Sequence, residues 1–176
     1  MRLQQLESRY CCNGLLVQNV CGQGKGVFTR VPFQRGELIL EFDGRLTHAS
    51  EITDFTHYLQ ISPDEYLGPS GSFDDFVNHH CDPNCGVFFD GDRLVLKAIR
   101  DIDIDEQLSF DYGTIMFNEP TTFNCACGAK KCRKQIGNFY MLPVDIQADF
   151  LDKNLVPLLS KFTREQLGFG NYLKAV

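Results

Sequence analysis

Tryptophan is absent from the 176 residues, and methionine occurs only three times, so phenylalanine, with 15 copies, must supply the large core side chains. Long apolar runs are missing too. Nothing approaches the roughly 20-residue stretch a membrane helix requires, and the opening MRLQQLESRY lacks the apolar core of a secretory signal. An intracellular chain with no membrane partner is therefore expected. Basic residues are fewer than acidic ones, 17 against 23, for a net charge of −6. That balance argues against direct nucleic-acid binding, which needs clustered Lys and Arg, and suits a basic partner such as a Lys-rich protein segment. No internal repeat or low-complexity region occurs. With 43% apolar and 23% charged residues, the chain has an ordinary globular balance, and its length suits one domain with a short appendage.

Short apolar, β-branched runs between turn residues fill the first two thirds. GLLVQNV, GVFTRV, ELILEF, HYLQIS, GVFFD and RLVLKAI read as strands, and Asp90-Gly91 between the last two is a hairpin signal. The expected class is mostly β, built of several small sheets. After Pro143 the pattern changes: Ile146, Phe150, Leu151, Leu155, Leu158 and Leu159 follow helical spacing, with Phe162 and Leu167 extending the face. This predicts one amphipathic helix, or two with Pro157 opening the second. Packing on the domain is favoured over a partner-binding role; a homodimer contact through this helix is the second reading.

Chemistry concentrates in four stretches. NHHCDPNC, residues 78–85, sets an amide, two imidazoles and two thiols around a proline that forces the backbone to loop; an Asx-Pro turn with incidental thiols is the plain alternative. GQGKG, 22–26, has glycine spacing that permits close backbone approach, but it is too short to be specific. LSFDYG, 108–113, ends on a tyrosine, Tyr112, whose plain reading is a buried phenol with a satisfied hydroxyl. CACGAKKC, 125–132, supplies three thiolates in C-x-C-x4-C spacing, one short of the four ligands of a structural zinc. In a reducing compartment, eight cysteines are thiols or metal ligands rather than a disulfide framework. Cys11, Cys12 and Cys21 read as ordinary thiols. The charges of KKCRK suit a place beside anionic thiolates better than a nuclear-import patch.

In this order the four stretches resemble the SET-domain protein lysine methyltransferases with their post-SET zinc motif, over roughly residues 14 to 137. The resemblance implies a β-clip of small sheets with a threaded, knot-like crossing. It divides the chain into an N-terminal segment (1–13), a SET domain (14–114), a post-SET segment (115–138) and a C-terminal helical extension (139–176). It also implies transfer of methyl groups from S-adenosyl-L-methionine to a lysine amine of a histone or other basic protein, with a nuclear location by analogy alone. It assigns Gln23, Gly24, Lys25, Gly26, Tyr58, Asn78 and His79 to the cofactor, Lys25 pairing with its carboxylate. Tyr112 becomes catalytic, and Phe42 and Phe110 become walls of the substrate channel. One zinc ion is assigned to Cys125, Cys127 and Cys132 with Cys81 as the fourth ligand, Cys85 being the competitor. Phe at position 110 implies di- or trimethylation. The chain departs from the family pattern at Phe42, where Tyr is common, at Asp75, where Arg is common, and in its short insert between Gly44 and Tyr58. A non-catalytic SET-fold binding module is the alternative function, and a purely structural zinc protein a third.

Overall fold

The computed structural model describes residues 14–117 and 122–158. Among them are twelve short strands. In chain order they are β1 (Leu15–Val20), β2 (Gly24–Thr29), β3 (Leu38–Glu41), β4 (Leu46–His48), β5 (Leu59–Gln60) and β6 (Glu65–Leu67), then β7 (Asn78–His79), β8 (Cys85–Asp90), β9 (Arg93–Ala98), β10 (Ser109–Phe110), β11 (Phe123–Asn124) and β12 (Gln135–Ile136). One helix, α1 (Val144–Asp152), follows. The strands form five small sheets: β1-β2, β3-β9-β8, β4-β6-β5, β10-β7 and β11-β12. The class is mostly β, as expected.

The three-stranded sheet β3-β9-β8 carries the core. Leu94, Val95 and Leu96 of β9 are all buried, so this central strand is covered on both faces and reads as a continuous apolar run rather than an alternation. Asp90 pairs with Arg93 across the β8-β9 turn, and Gly91 opens that turn at φ +64°, where a Cβ would be strained.

Six strands escaped the sequence reading: β4, β6, β7, β10, β11 and β12. Each is two or three residues long, too short for a period of two to show. HYLQIS forms a strand only at Leu59–Gln60: His57 turns the chain before it at φ +65°, and after it Ile61 and Ser62 N–H both turn onto Glu65 O. The pairing of β7 with β10 is parallel, Asn78 opposite Ser109 and His79 opposite Phe110. It lays the start of NHHCDPNC alongside LSFDYG, two stretches about thirty residues apart.

Below the strands, α1 packs a second, smaller core. Phe150, Leu155 and Val156 are buried against Phe139 and Leu142, with Ile146 and Leu151 partly buried beside them. The chain leaves α1 at Lys153, Asn154 takes φ +54°, and a further helical turn opens at Pro157. The apolar face of the described extension is thus occupied within the chain. Leu159, Phe162, Leu167 and the N-terminal segment 1–13 lie outside the described residues. Among the described residues no helix is long and apolar enough to cross a membrane.

Candidate active site and metal centre

The glycine stretch enters β2 directly. A Cβ on Gly26 would stand 2.7 Å from Gln107 Nε2, 2.8 Å from Val20 Cγ2 and 3.0 Å from Asn78 Nδ2, so only glycine fits that register. The closeness is used: Asn78 Nδ2 donates to Lys25 O at 2.8 Å. Lys25 Nζ lies 4.9 Å from the Phe76 ring centroid and makes no ion pair among the described residues. Gln23 turns toward the tail, donating from Nε2 to Ala126 O at 3.1 Å. An ammonium with no ion-pair partner among the described residues, beside glycine backbone, can take a carboxylate.

That cavity, of about 260 Å³, is walled by Phe42, Tyr58, Phe110, Tyr112, Phe123 and Ile136 among others. Phe42 and Phe110 meet edge to face at 6.0 Å, and Phe110 lies 5.0 Å from Tyr112. Tyr112 Oη donates to Val77 O at 3.0 Å, which commits the phenol proton and leaves its oxygen lone pairs for an incoming donor. Burial pushes the phenol up to about 12, so it stays neutral and serves as a positioned dipole rather than a base. Asp75, in the position where Arg is common, accepts Ser70 N at 3.0 Å and Gly71 N at 2.7 Å, so it pins a loop through backbone amides rather than through an ion pair.

Three of the seven sequence-predicted cofactor residues line one or other of two hollows. Tyr58 lines the apolar cavity with Tyr112, whereas Gln23 and His79 line a polar hollow of about 200 Å³ that also reaches Cys127. Gly24, Lys25, Gly26 and Asn78 line neither.

His79 is buried, and its Nδ1 accepts Tyr112 N–H at 3.1 Å, which leaves the ring proton on Nε2, 3.3 Å from Cys81 Sγ. Burial, aided by the charge of Arg133, pushes the ring down to about 3. His79 is therefore neutral, and its 3.7 Å approach to Asp111 Oδ1 is a meeting of two acceptors rather than an ion pair. Burial raises the Asp111 carboxyl, and the Arg133 guanidinium opposes that rise.

Four donor atoms, from His79, Cys81, Cys125 and Cys127, lie within 4.8 Å of one another; Cys81 and Cys125 sulfurs are 3.8 Å apart. Cys132 is not among these four; its thiol hydrogen-bonds with those of Cys125 and Cys127. Arg133 N–H points to Cys81 Sγ at 3.5 Å and Lys134 N–H to Cys132 Sγ at 3.4 Å, the amide-to-sulfur contacts that stabilise thiolates. Burial opposes ionisation of Cys127, but hydrogen bonds at Cys81, Ala129, Cys125 and Cys132 outweigh it and bring this thiol to about 6, while burial lifts Cys81 to about 11. The donor set fits zinc, whose charge would expel the remaining protons. Cys85 stands apart: it is buried, donates to Asn84 Oδ1 at 3.3 Å, and burial pushes its thiol to about 12. The structure thus groups Cys81, and not Cys85, with the tail thiols.

Sequence reasoning missed Asp111, Arg133, Phe123 and Ile136. Asp111 stands inside LSFDYG, and an acidic residue in an otherwise apolar strand end was the available signal. The charges of KKCRK were expected beside thiolates; at Arg133 the main chain does this, and the side chain instead reaches Asp111.

Comparison with known proteins bears on the same stretches. The SET domain family model matches residues 24–113. The chain is 31% identical over 152 residues to histone-lysine N-methyltransferase ash1 of Drosophila melanogaster, covering 77% of this chain and 7% of that protein. It is 27% identical over 159 residues to the probable histone-lysine N-methyltransferase set-23 of Caenorhabditis briggsae, covering 72% and 66%. A crystal structure of KRYPTONITE in complex with mCHG DNA and SAH superposes with a TM-score of 0.59 at 27% identity, over 69% of this chain and 28% of that one. The chain therefore spans less than two thirds of each of these relatives. With Gly24, the NHHCDPNC loop and Tyr112 all inside the matched stretch, the chain belongs to the SET domain family.

Proposed function

We propose that the protein transfers methyl groups from S-adenosyl-L-methionine to the side-chain amine of lysine in a basic protein, with a histone as the first substrate to test. The observation that carries this reading is Tyr112, whose hydroxyl is anchored on Val77 O at the wall of an apolar cavity faced by Phe42 and Phe110. S-adenosyl-L-methionine, when bound, supplies a methyl group activated by sulfonium charge. Gln23, Gly24, Lys25, Gly26, Tyr58, Asn78 and His79 are the residues proposed to hold it, Lys25 taking its carboxylate.

The nucleophile must be a neutral amine. An exposed lysine titrates near 10.4, so neutrality at pH 7 costs about 4 to 5 kcal/mol. Aromatic walls that exclude water lower that cost, since burial disfavours ammonium. The amine nitrogen forms a bond to the methyl carbon as the carbon–sulfur bond breaks and sulfur keeps the electron pair; the amine proton leaves to water. Tyr112 Oη, with its own proton held by Val77 O, accepts a hydrogen bond from the amine and aligns it.

Phe110 offers no hydroxyl to tether a partly methylated amine, and Phe42 offers none beside it, so di- or trimethylation is the proposed product. One zinc held by Cys81, Cys125, Cys127 and Cys132 is proposed to fix the post-SET segment (115–138) against the SET domain (14–114), where Phe123 and Ile136 complete the cavity wall. Relatives named as histone-lysine N-methyltransferases support a nuclear location. A KRYPTONITE structure contains DNA, so likeness to it lends no support to the expectation that this chain avoids nucleic acid.

The non-catalytic module is favoured only by the buried Phe42, which lacks the hydroxyl common in the family. Incubation with methyl-labelled S-adenosyl-L-methionine and separate pools of histones, ribosomal proteins and cell extract distinguishes the two. Label in lysine supports the enzyme; cofactor binding without transfer to any pool supports the module.

A further inference from the structure

Arg133 joins two parts of the site that are distant in sequence. Its main-chain N–H faces Cys81 Sγ at 3.5 Å, and its Nη2 reaches Asp111 Oδ2 at 2.6 Å. The pair is enclosed: side-chain exposure is 13% for Arg133 and 0% for Asp111. Arg133 Nε is buried without a hydrogen-bond partner among the described residues, so the contact with Asp111 is what anchors the guanidinium.

Asp111 begins the short 3-10 turn Tyr112–Thr114, and its Oδ1 accepts Gly113 N–H at 3.0 Å. The preceding amide, Tyr112 N–H, goes to His79 Nδ1 at 3.1 Å. Two acceptor atoms, Asp111 Oδ1 and His79 Nδ1, thus lie 3.7 Å apart. Their repulsion is offset by the two successive amides between them and by the cation on the far carboxylate oxygen. Without that cation a fully buried carboxylate beside an unprotonated imidazole nitrogen is unfavourable, and the turn has reason to open.

We propose that Arg133 is a positioning residue for Tyr112. By neutralising Asp111 it holds the turn that aims the phenol into the cavity, and because it directly follows Cys132, docking of the tail and alignment of Tyr112 become one event. The functional consequence rests on the methyltransferase reading; the structural coupling does not.

The test uses the zinc-loaded full chain as wild type, Arg133→Met, Arg133→Lys and Arg133→Met with Asp111→Asn. Hydrogen–deuterium exchange at residues 112–114 is followed beside zinc content, kcat and KM. Arg133→Met should speed exchange there at least about tenfold while zinc content and the β8-β9 amides stay as in wild type. Its kcat should fall about tenfold or more, with KM for S-adenosyl-L-methionine within about twofold. The double variant should recover protection, because an amide caps Gly113 without needing a cation. Arg133→Lys, which keeps the charge, should fall between wild type and Arg133→Met, and it carries the test if Arg133→Met does not fold. Unchanged exchange at 112–114, or loosening confined to 122–137 with kcat intact, overturns the proposal. An inactive wild type would remove the methyltransferase reading, while the exchange result would still judge Arg133.

Discussion

Tyr112 uses every polar atom it has: N–H to His79, Oη–H to Val77 O, and oxygen lone pairs toward the cavity. Removing the hydroxyl deletes only the group proposed to align the amine. Tyr112→Phe should lower kcat at least about 100-fold with cofactor affinity within about twofold, measured by single-turnover transfer and calorimetry. Phe110→Tyr adds a hydroxyl to a ring whose centroid lies 5.0 Å from that of Tyr112. It should shift the product toward monomethyl-lysine, read by mass spectrometry at long times; an unchanged product distribution would mean that the side chain at 110 does not set the methyl count. Gly26→Ala should destabilise by about 1–3 kcal/mol, because the stiff Val20 and Asn78 must both give way, and chemical denaturation measures it. Among these residues the sequence was most readable where a motif names a side chain: Phe42, Tyr58, Phe110 and Tyr112 all line one cavity. It was least readable at Asp111 and Arg133, whose pairing spans 22 positions and leaves no local pattern.

At the scale of elements, the tail is the dependent part. Strands β11 and β12 are two residues each and pair only with one another, far too little for independent stability, so the tail depends on its docking through the buried Ile136, the Arg133–Asp111 contact and the thiol cluster. Cys81→Ser should weaken zinc at least about 100-fold and expose 122–137 to protease. Cys85→Ser, at a buried thiol hydrogen-bonded to Asn84, should keep zinc and cost about 1–2 kcal/mol of stability. Zinc titration with a competing chelator separates the two, and the opposite result would move the fourth ligand to Cys85. The hairpin β8-β9 was legible because six paired residues and a glycine turn express both pattern and punctuation. The parallel pair β7-β10 was not, since two residues carry no period and their partner is set by tertiary packing. The helix was legible as apolar spacing, but its end at Lys153 coincides with Asn154 turning left-handed, a local backbone choice that the apolar spacing does not encode.

For the whole molecule, a net charge of −6 favours encounter with a basic substrate by long-range attraction, which salt screens. KM for a Lys-rich substrate should therefore rise at least about threefold between roughly 0.02 and 0.3 M salt, with kcat little changed. The central claim is that one cavity, closed by the zinc-held tail and bounded by Tyr112, methylates lysine. Its most direct test is mass spectrometry of histones incubated with S-adenosyl-L-methionine and the zinc-loaded chain, with Tyr112→Phe alongside. Two or three methyl groups on a lysine with wild type, and almost none with the variant, are the expected result. Lysine left unmodified by a wild type that holds both zinc and cofactor, or equal methylation by Tyr112→Phe, would contradict it.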